Sequence, residues 1–196
     1  MDTRAGKRLF FSVVAALILA WAGAAFGASA AVDANATVTV SEVFSLALDS
    51  SSVDFGSVRQ GDWKEVSGSL GYANAAICRS NTGRPWELSI KATGPLASDS
   101  GTIPLENLKW MSTYAGSKND PYADYSEGLV NPPAAGYVNF SLTDAAVFRS
   151  SAASITDHNT LPNGAEIQFK YAISIPDTIR LTPGNYTPTV VYTLTE

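Results

Sequence analysis

The segment AEIQFKYAISI (residues 165–175) decides the fold, and YTPTVVYTLT (residues 186–195) follows a similar rule. In the first segment every second residue is large and apolar: Ile167, Phe169, Tyr171, Ile173 and Ile175. In the second, Tyr186, Val190, Tyr192 and Leu194 alternate with threonines. This spacing puts the large side chains of each segment on one face of a strand. The two strands, joined by a Pro-Gly turn within residues 176–185, are predicted to form a closing hairpin that needs a second layer over its apolar face.

The same strand pattern recurs through most of the chain, with turn signals every 8–12 residues. We predict strands or short β segments in seven further regions: residues 38–48, 53–58, 64–79, 85–91, 105–113, 137–142 and 145–149. In residues 86–91, Trp86, Leu88 and Ile90 are predicted to point inward, and Trp86 is the expected packing anchor. The sequence therefore predicts an all-β protein, a single antiparallel β-sandwich of about eight strands, immunoglobulin-like or jelly-roll-like.

The first thirty residues have the layout of a secretory signal peptide. A basic head (Arg4, Lys7 and Arg8) precedes an uncharged apolar run, and small residues at 28–30 suit cleavage after Ala30. A retained membrane anchor is the alternative, although the run is short for spanning a bilayer. We therefore expect a signal peptide at 1–30 and a domain at 31–196. The product would be secreted, extracellular or at the cell surface, or periplasmic if the source is Gram-negative.

Composition limits the possible partners. The chain has 196 residues, a formal net charge of −5 and 45% hydrophobic residues, as expected for a globular domain. Loss of the basic leader would make it more acidic, which disfavours nucleic acid and anionic membrane surfaces. The single cysteine, Cys78, excludes an intrachain disulfide. We expect it to be a small buried hydrophobe, with an intermolecular disulfide as the alternative.

Few residues suit catalysis. His158 is the only histidine and lies in a polar turn, and no Gly-x-Ser-x-Gly elbow precedes a helix. A Cys78–His158 pair is conceivable, but nothing marks the thiol as activated. One His and one Cys cannot form a typical transition-metal site, and no phosphate loop or dinucleotide fingerprint occurs. We predict that the protein is not an enzyme, has no catalytic residue and needs no cofactor, calcium excepted.

The long irregular stretch 114–137 carries both candidate ligand sites. Asp120, Asp124 and Glu127 could supply hard oxygen ligands to calcium, although they could equally be solvated loop charges. Tyr114, Tyr122 and Tyr125, together with Tyr137 at the end of the stretch, could stack on a glycan, although tyrosines beside turns also pack against the core edge. This loop makes a carbohydrate-binding module the alternative function.

Trp86-Glu87-Leu88 and residues 184–195 resemble the two signatures of WxL-type bacterial cell-surface domains. Residues 53–58 resemble the opening of exported sandwich proteins that form biofilm fibres or coat-like layers. Tyr192 stands where the WxL-type signature has tryptophan. The resemblance implies a β-rich domain attached to the bacterial cell wall.

Together these features predict an exported, non-enzymatic surface protein with a structural or adhesive role in a cell wall, biofilm fibre or coat. Its partners would be a cell-surface polymer or neighbouring protein subunits. The one-faced N-terminal strand, residues 38–48, could exchange between subunits to form a homo-oligomer, or could pair within its own domain.

Overall fold

The computed structural model describes residues 37–99, 101–117, 125–155 and 157–196. The chain divides into two units, Met1–Val40 and Ser41–Glu196. The described part of the first unit, residues 37–40, has no helix or strand, and its Val38 and Val40 side chains are 83% and 79% exposed. The predicted signal peptide lies outside the described residues. Within the described ranges, no helix is both long and apolar enough to cross a membrane.

The described part of the second unit is built almost wholly of β-strands. They are β1 (Phe44–Leu48), β2 (Trp63–Val66), β3 (Asn74–Ser80), β4 (Glu87–Ala92), β5 (Leu96–Ser98), β6 (Gly101–Ile103), β7 (Leu108–Ser117), β8 (Val138–Asn139), β9 (Ala145–Arg149), β10 (Ala165–Ser174) and β11 (Val190–Thr195). Single turns of 3-10 helix occur at Leu105–Asn107, Ser126–Gly128 and Pro133–Ala135. All the strand pairs are antiparallel, so the all-β prediction is confirmed.

Strand β10 is the centre of a six-stranded sheet. One edge of β10 pairs with β3 along Ala165–Phe169 and with β2 along Tyr171–Ser174, so β2 and β3 act as one strand interrupted by residues 67–73. The other edge pairs with β7. Beyond β3 lies β1, and beyond β7 lies the two-residue strand β8. Within the described chain, β1 and β8 are therefore the outermost strands of this sheet.

Strand β4 is the centre of a three-stranded sheet, with β11 on one side and β9 on the other. A register irregularity interrupts the β4–β9 pairing between Leu88 and Ser89. Strands β5 and β6 form a separate two-stranded ribbon. The predicted hairpin between residues 165–174 and 190–195 is wrong, because β10 and β11 belong to different sheets. Each pairs with strands from earlier in the chain, β10 on both edges and β11 on one.

Both larger sheets contribute to one hydrophobic core. On β10 the alternating residues Ile167, Phe169, Tyr171 and Ile173 are all buried, as their spacing predicts. The inward direction of Trp86, Leu88 and Ile90 is also confirmed, since each is at most 2% exposed. The Trp86 ring stacks on Phe148 with centroids 5.0 Å apart, and its indole nitrogen donates to the His158 carbonyl at 3.2 Å.

A buried polar cluster joins the two sheets at one side of this core. The Tyr171 hydroxyl on β10 donates to the Asn74 side-chain oxygen on β3 at 2.7 Å. The Asn74 amide donates to the Tyr192 hydroxyl on β11 at 3.1 Å, and the two tyrosine hydroxyls also hydrogen-bond to each other. Because every member has a partner, the cluster stabilises one relative position of β10 and β11.

The N-terminal part of the fold differs from the sequence prediction. The predicted strand 38–48 starts only at Phe44, and residues 53–58 form no strand. Val53, Phe55 and Val58 nevertheless pack against the core from an irregular segment. An alternation of apolar and polar residues without Pro or Gly predicts the direction of the side chains. A strand also needs hydrogen-bond partners for its backbone, and at residues 37–43 no described strand provides them.

Candidate functional site

The described end of the loop 114–137 belongs to the core wall. Tyr125 is 6% exposed, and its hydroxyl donates to the carbonyls of Asp157 and Asn159 at 3.0 and 3.2 Å. Gly128, in the next turn, lies against the Phe148 ring so closely that a β-carbon there would be 2.5 Å from the ring. The loop therefore returns to the domain through a tightly packed junction.

The predicted calcium ligands are described only in part. Glu127 lies exposed on the 3-10 turn Ser126–Gly128, whereas Asp120 and Asp124 lie outside the described residues. Within the described ranges, no three His, Cys, Asp or Glu side chains group as a metal site. The calcium site stays a prediction.

Tyr114 and Tyr125, two of the predicted glycan-binding tyrosines, do not form an open surface. The rings of Tyr114 and Tyr125 meet edge to face with centroids 5.9 Å apart, and Tyr114 also contacts Phe148. Tyr122 lies outside the described residues. Since Tyr125 is buried, its ring is a packing element in this structure, which was the other interpretation of these tyrosines. Whether the loop binds a glycan stays a prediction.

Cys78 and His158 lack the features of a catalytic pair. Cys78 is buried on β3, and burial raises the pKa of its thiol to about 12, the opposite of thiolate activation. The His158 backbone carbonyl accepts the Trp86 indole hydrogen bond, which fixes this turn to the core. The neighbouring Asp157 carboxylate accepts the Asn159 amide at 2.8 Å and so serves its own turn. In the described structure, Cys78 is thus part of the core, and His158 and Asp157 form hydrogen bonds that hold their turn in place.

An aromatic patch, of which the sequence indicated only Tyr137, lies on the outer face of the six-stranded sheet. Trp63 on β2 is 52% exposed, and the Tyr137 ring meets it edge to face with centroids 5.6 Å apart and planes at 78°. We name this the outer-face patch. Its six residues are Trp63, Glu65, Lys109, Tyr137, Asn139 and Lys170.

The register explains why these residues share a face. Glu65 pairs with Ala172, which pairs with Lys109 across β10, while the buried β10 residues occupy the alternate positions. Tyr137 and Asn139 enter through β8, which pairs with β7 at Lys109 and Trp110. The patch thus crosses four neighbouring strands. The signal available in the sequence was the spacing Trp63-x-Glu65, which puts the tryptophan on the same side as a charge.

Both charges and hydrogen-bonding groups surround the aromatic pair. Lys170 lies 4.0 Å from the Glu65 carboxylate, and Lys109 donates to the Asn139 side-chain oxygen at 2.5 Å. Burial raises the pKa of the Tyr137 hydroxyl above its usual value, and the nearby charge of Glu65 raises it further. Tyr137 therefore stays a neutral hydroxyl at physiological pH. The patch offers one aromatic surface with donors and acceptors beside it.

Comparisons with protein-family models, curated proteins and solved structures found no match for this chain.

Proposed function

We propose that the chain is an exported, non-enzymatic bacterial surface protein with a structural or adhesive role, acting through its strand edges and surface. Its domain would be a β-sandwich, immunoglobulin-like or jelly-roll-like, following a cleaved signal peptide. The β10 sheet and the β4 sheet both contribute side chains to one core, which supports the sandwich. The location would be secreted or cell-surface, or periplasmic in a Gram-negative source.

The observation that carries this proposal is the open edge of β1. The Asn81 amide donates to the Val43 carbonyl, and the Asp49 amide donates to the Ala75 carbonyl. In an antiparallel pair the intervening residues alternate, so the amides and carbonyls of Phe44, Leu46 and Leu48 point away from β3. Within the described chain no strand pairs with that side of β1. Such a row of groups can accept a strand from another subunit.

The side chains of β1 support the same proposal. Phe44 and Leu48 share a face with Leu46, which packs against the core, yet they are 39% and 37% exposed. A neighbouring subunit that added a strand here would extend the ladder and cover apolar surface together.

The two segments that resemble WxL-type signatures are adjacent in the fold. Strand β4 contains Leu88, which pairs with Leu194 of β11, and Ile90 pairs with Tyr192. This adjacency supports a common role for the two segments in the core, and cell-wall association is the part of the proposal that the resemblance motivates. A cell-surface polymer and neighbouring subunits remain the proposed partners. The carbohydrate-binding alternative through residues 114–137 gains no support from the buried ring of Tyr125.

The test is self-association measured by light scattering over a range of protein concentrations. We expect a mass that rises with concentration. The double variant Ser45→Lys/Ala47→Lys should abolish the rise, because both side chains lie on the exposed outer face of β1 and charged lysines oppose edge pairing. Leu142→Lys, at an exposed position that follows β8 at the opposite edge of the sheet from β1, is the matched control and should associate like the unaltered protein.

A deletion complements the lysine variants. Removing residues 31–43 takes away the lead-in segment but leaves β1 paired with β3, so circular dichroism should stay that of the intact domain while association weakens. A constant monomer mass for the unaltered protein, or association that survives both the lysine pair and the deletion, would refute assembly through this edge.

A further inference from the structure

We propose that the outer-face patch is a binding site for a neutral polysaccharide of gluco-configured sugars, with the Trp63 ring as its stacking surface. This inference concerns a different surface from the β1 edge and goes beyond the proposed assembly, on which it does not depend.

The first argument is the fixed orientation of Trp63. Tyr137 meets the indole at 78° and so blocks its rotation on one side, while about half of the tryptophan stays open to solvent. A gluco-configured ring has apolar C–H groups on both faces and hydroxyls around its rim, so a flat indole can cover one face without removing the hydroxyls from water. Because the indole is already held, less conformational entropy is lost when a sugar binds.

The second argument is the polar rim. Sugar hydroxyls both donate and accept hydrogen bonds, and the patch offers Glu65 as acceptor and Lys170 as donor. At 4.0 Å this ion pair is too long for a hydrogen bond, and the two side chains are 39% and 32% exposed, so each can still bind a ligand hydroxyl. Asn139 and Lys109 add further groups on the next two strands.

The third argument is the charge and extent of the patch. It carries positive and negative groups side by side, which gives no strong attraction for a polyanion in a protein whose net charge is −5. Neighbouring strands lie about 4.8 Å apart, so residues on four strands span roughly 14 Å. This is longer than a single sugar ring, which favours a polymer over a monosaccharide. A proline-rich peptide, the other ligand of aromatic surfaces, offers few donors to Glu65.

The test is electrophoresis of the protein, purified after expression of the full chain, in native gels that each contain one neutral polysaccharide. The probes are hydroxyethylcellulose, laminarin, xyloglucan and soluble starch. We expect at least one of them to retard the protein. Trp63→Ala should lower the affinity about tenfold or more, because buried tryptophans dominate binding surfaces. Trp63→Phe should retain a flat ring and most of the binding, and Glu65→Gln should weaken it less than Trp63→Ala does.

The controls separate binding from folding and from assembly. Leu70→Ala changes an exposed apolar residue outside the patch and should leave the retardation unchanged. Far-ultraviolet circular dichroism should match for all variants, and the light-scattering mass of Trp63→Ala should equal that of the unaltered protein. The proposal is overturned if none of the four polysaccharides retards the protein, if Trp63→Ala is retarded as strongly as the unaltered protein, or if decaproline alone changes the tryptophan fluorescence.

Discussion

Replacing Gly128 with alanine should destabilise the protein by about 1–2 kcal/mol, although it adds a single methyl group. The new β-carbon would lie 2.5 and 2.6 Å from two atoms of the Phe148 ring, well inside the usual carbon–carbon contact of about 3.5–4.0 Å. Phe148 cannot retreat freely, because it is fully buried and its ring stacks on Trp86. Overpacking of this kind costs about 1–3 kcal/mol. The lower entropy of the unfolded alanine chain offsets only about 0.4–1 kcal/mol.

The measurement is urea unfolding of the purified protein followed by tryptophan fluorescence. Gly94→Ala is the matched control, because a β-carbon there meets nothing within 4 Å and its φ is not positive. It should not destabilise the protein, and the lower entropy of its unfolded chain should raise the free energy of unfolding by about 0.4–1 kcal/mol. A double-mutant cycle adds a sharper test. In a Phe148→Leu background the ring is gone, and Gly128→Ala should then cost at least about 1 kcal/mol less.

Two results would refute this reasoning. If Gly128→Ala and Gly94→Ala shift the unfolding midpoint equally, Gly128 does not lie against the Phe148 ring as described. If the Gly128 and Phe148 substitutions are additive, any destabilisation does not arise from the ring.

Three further predictions follow from the core. Trp86→Ala should lower the free energy of unfolding by about 3–5 kcal/mol, whereas Trp63→Ala, at a half-exposed surface position, should lower it by less than about 1 kcal/mol in the same urea titration. Cys78 should resist iodoacetamide at pH 8 in the native protein, because burial raises the pKa of its thiol to about 12. In guanidinium chloride it should react fully, and mass spectrometry would measure both reactions. Rapid labelling of the native protein would contradict its buried position. Burial raises the pKa of Tyr171 and Tyr192 above the unfolded value of about 10, so above that pH the unfolded chain binds fewer protons and stability should fall as pH rises. Tyr192→Phe should make this alkaline loss shallower in urea titrations between pH 8 and 11, and an unchanged slope would contradict the buried-cluster explanation.

Side-chain direction was the part of the fold that the sequence could predict. Period-two alternation identified the buried face of β10, and the inward positions of Trp86, Leu88 and Ile90, because a pleated strand leaves no other choice of direction. Strand partners were harder to predict. The hairpin expected within residues 165–196 is absent because β10 pairs with β2, β3 and β7, and the choice depends on long-range register that no local pattern contains.

The candidate sites, like the fold, could be predicted from the sequence only in part. Tyr125 lies beside turn residues, and only the three-dimensional structure reveals that its hydroxyl serves the turn at 157–159. Trp63 and Tyr137 are far apart in sequence and have no shared motif, so their contact follows only from the arrangement of four strands. The sequence could have predicted that Trp63 and Glu65 share a face, but it could not predict which other residues lie beside them.

The central place of β10 in the larger sheet also determines when that sheet can form during synthesis. Strands β2, β3 and β7 are made first, yet their common neighbour is complete only once residue 174 has been added. Until then β3 can pair with β1 and β7 with β8, but none of the three strands has a partner on its β10 side. Closure of the sheet therefore waits for β10 and depends on slow, long-range pairing.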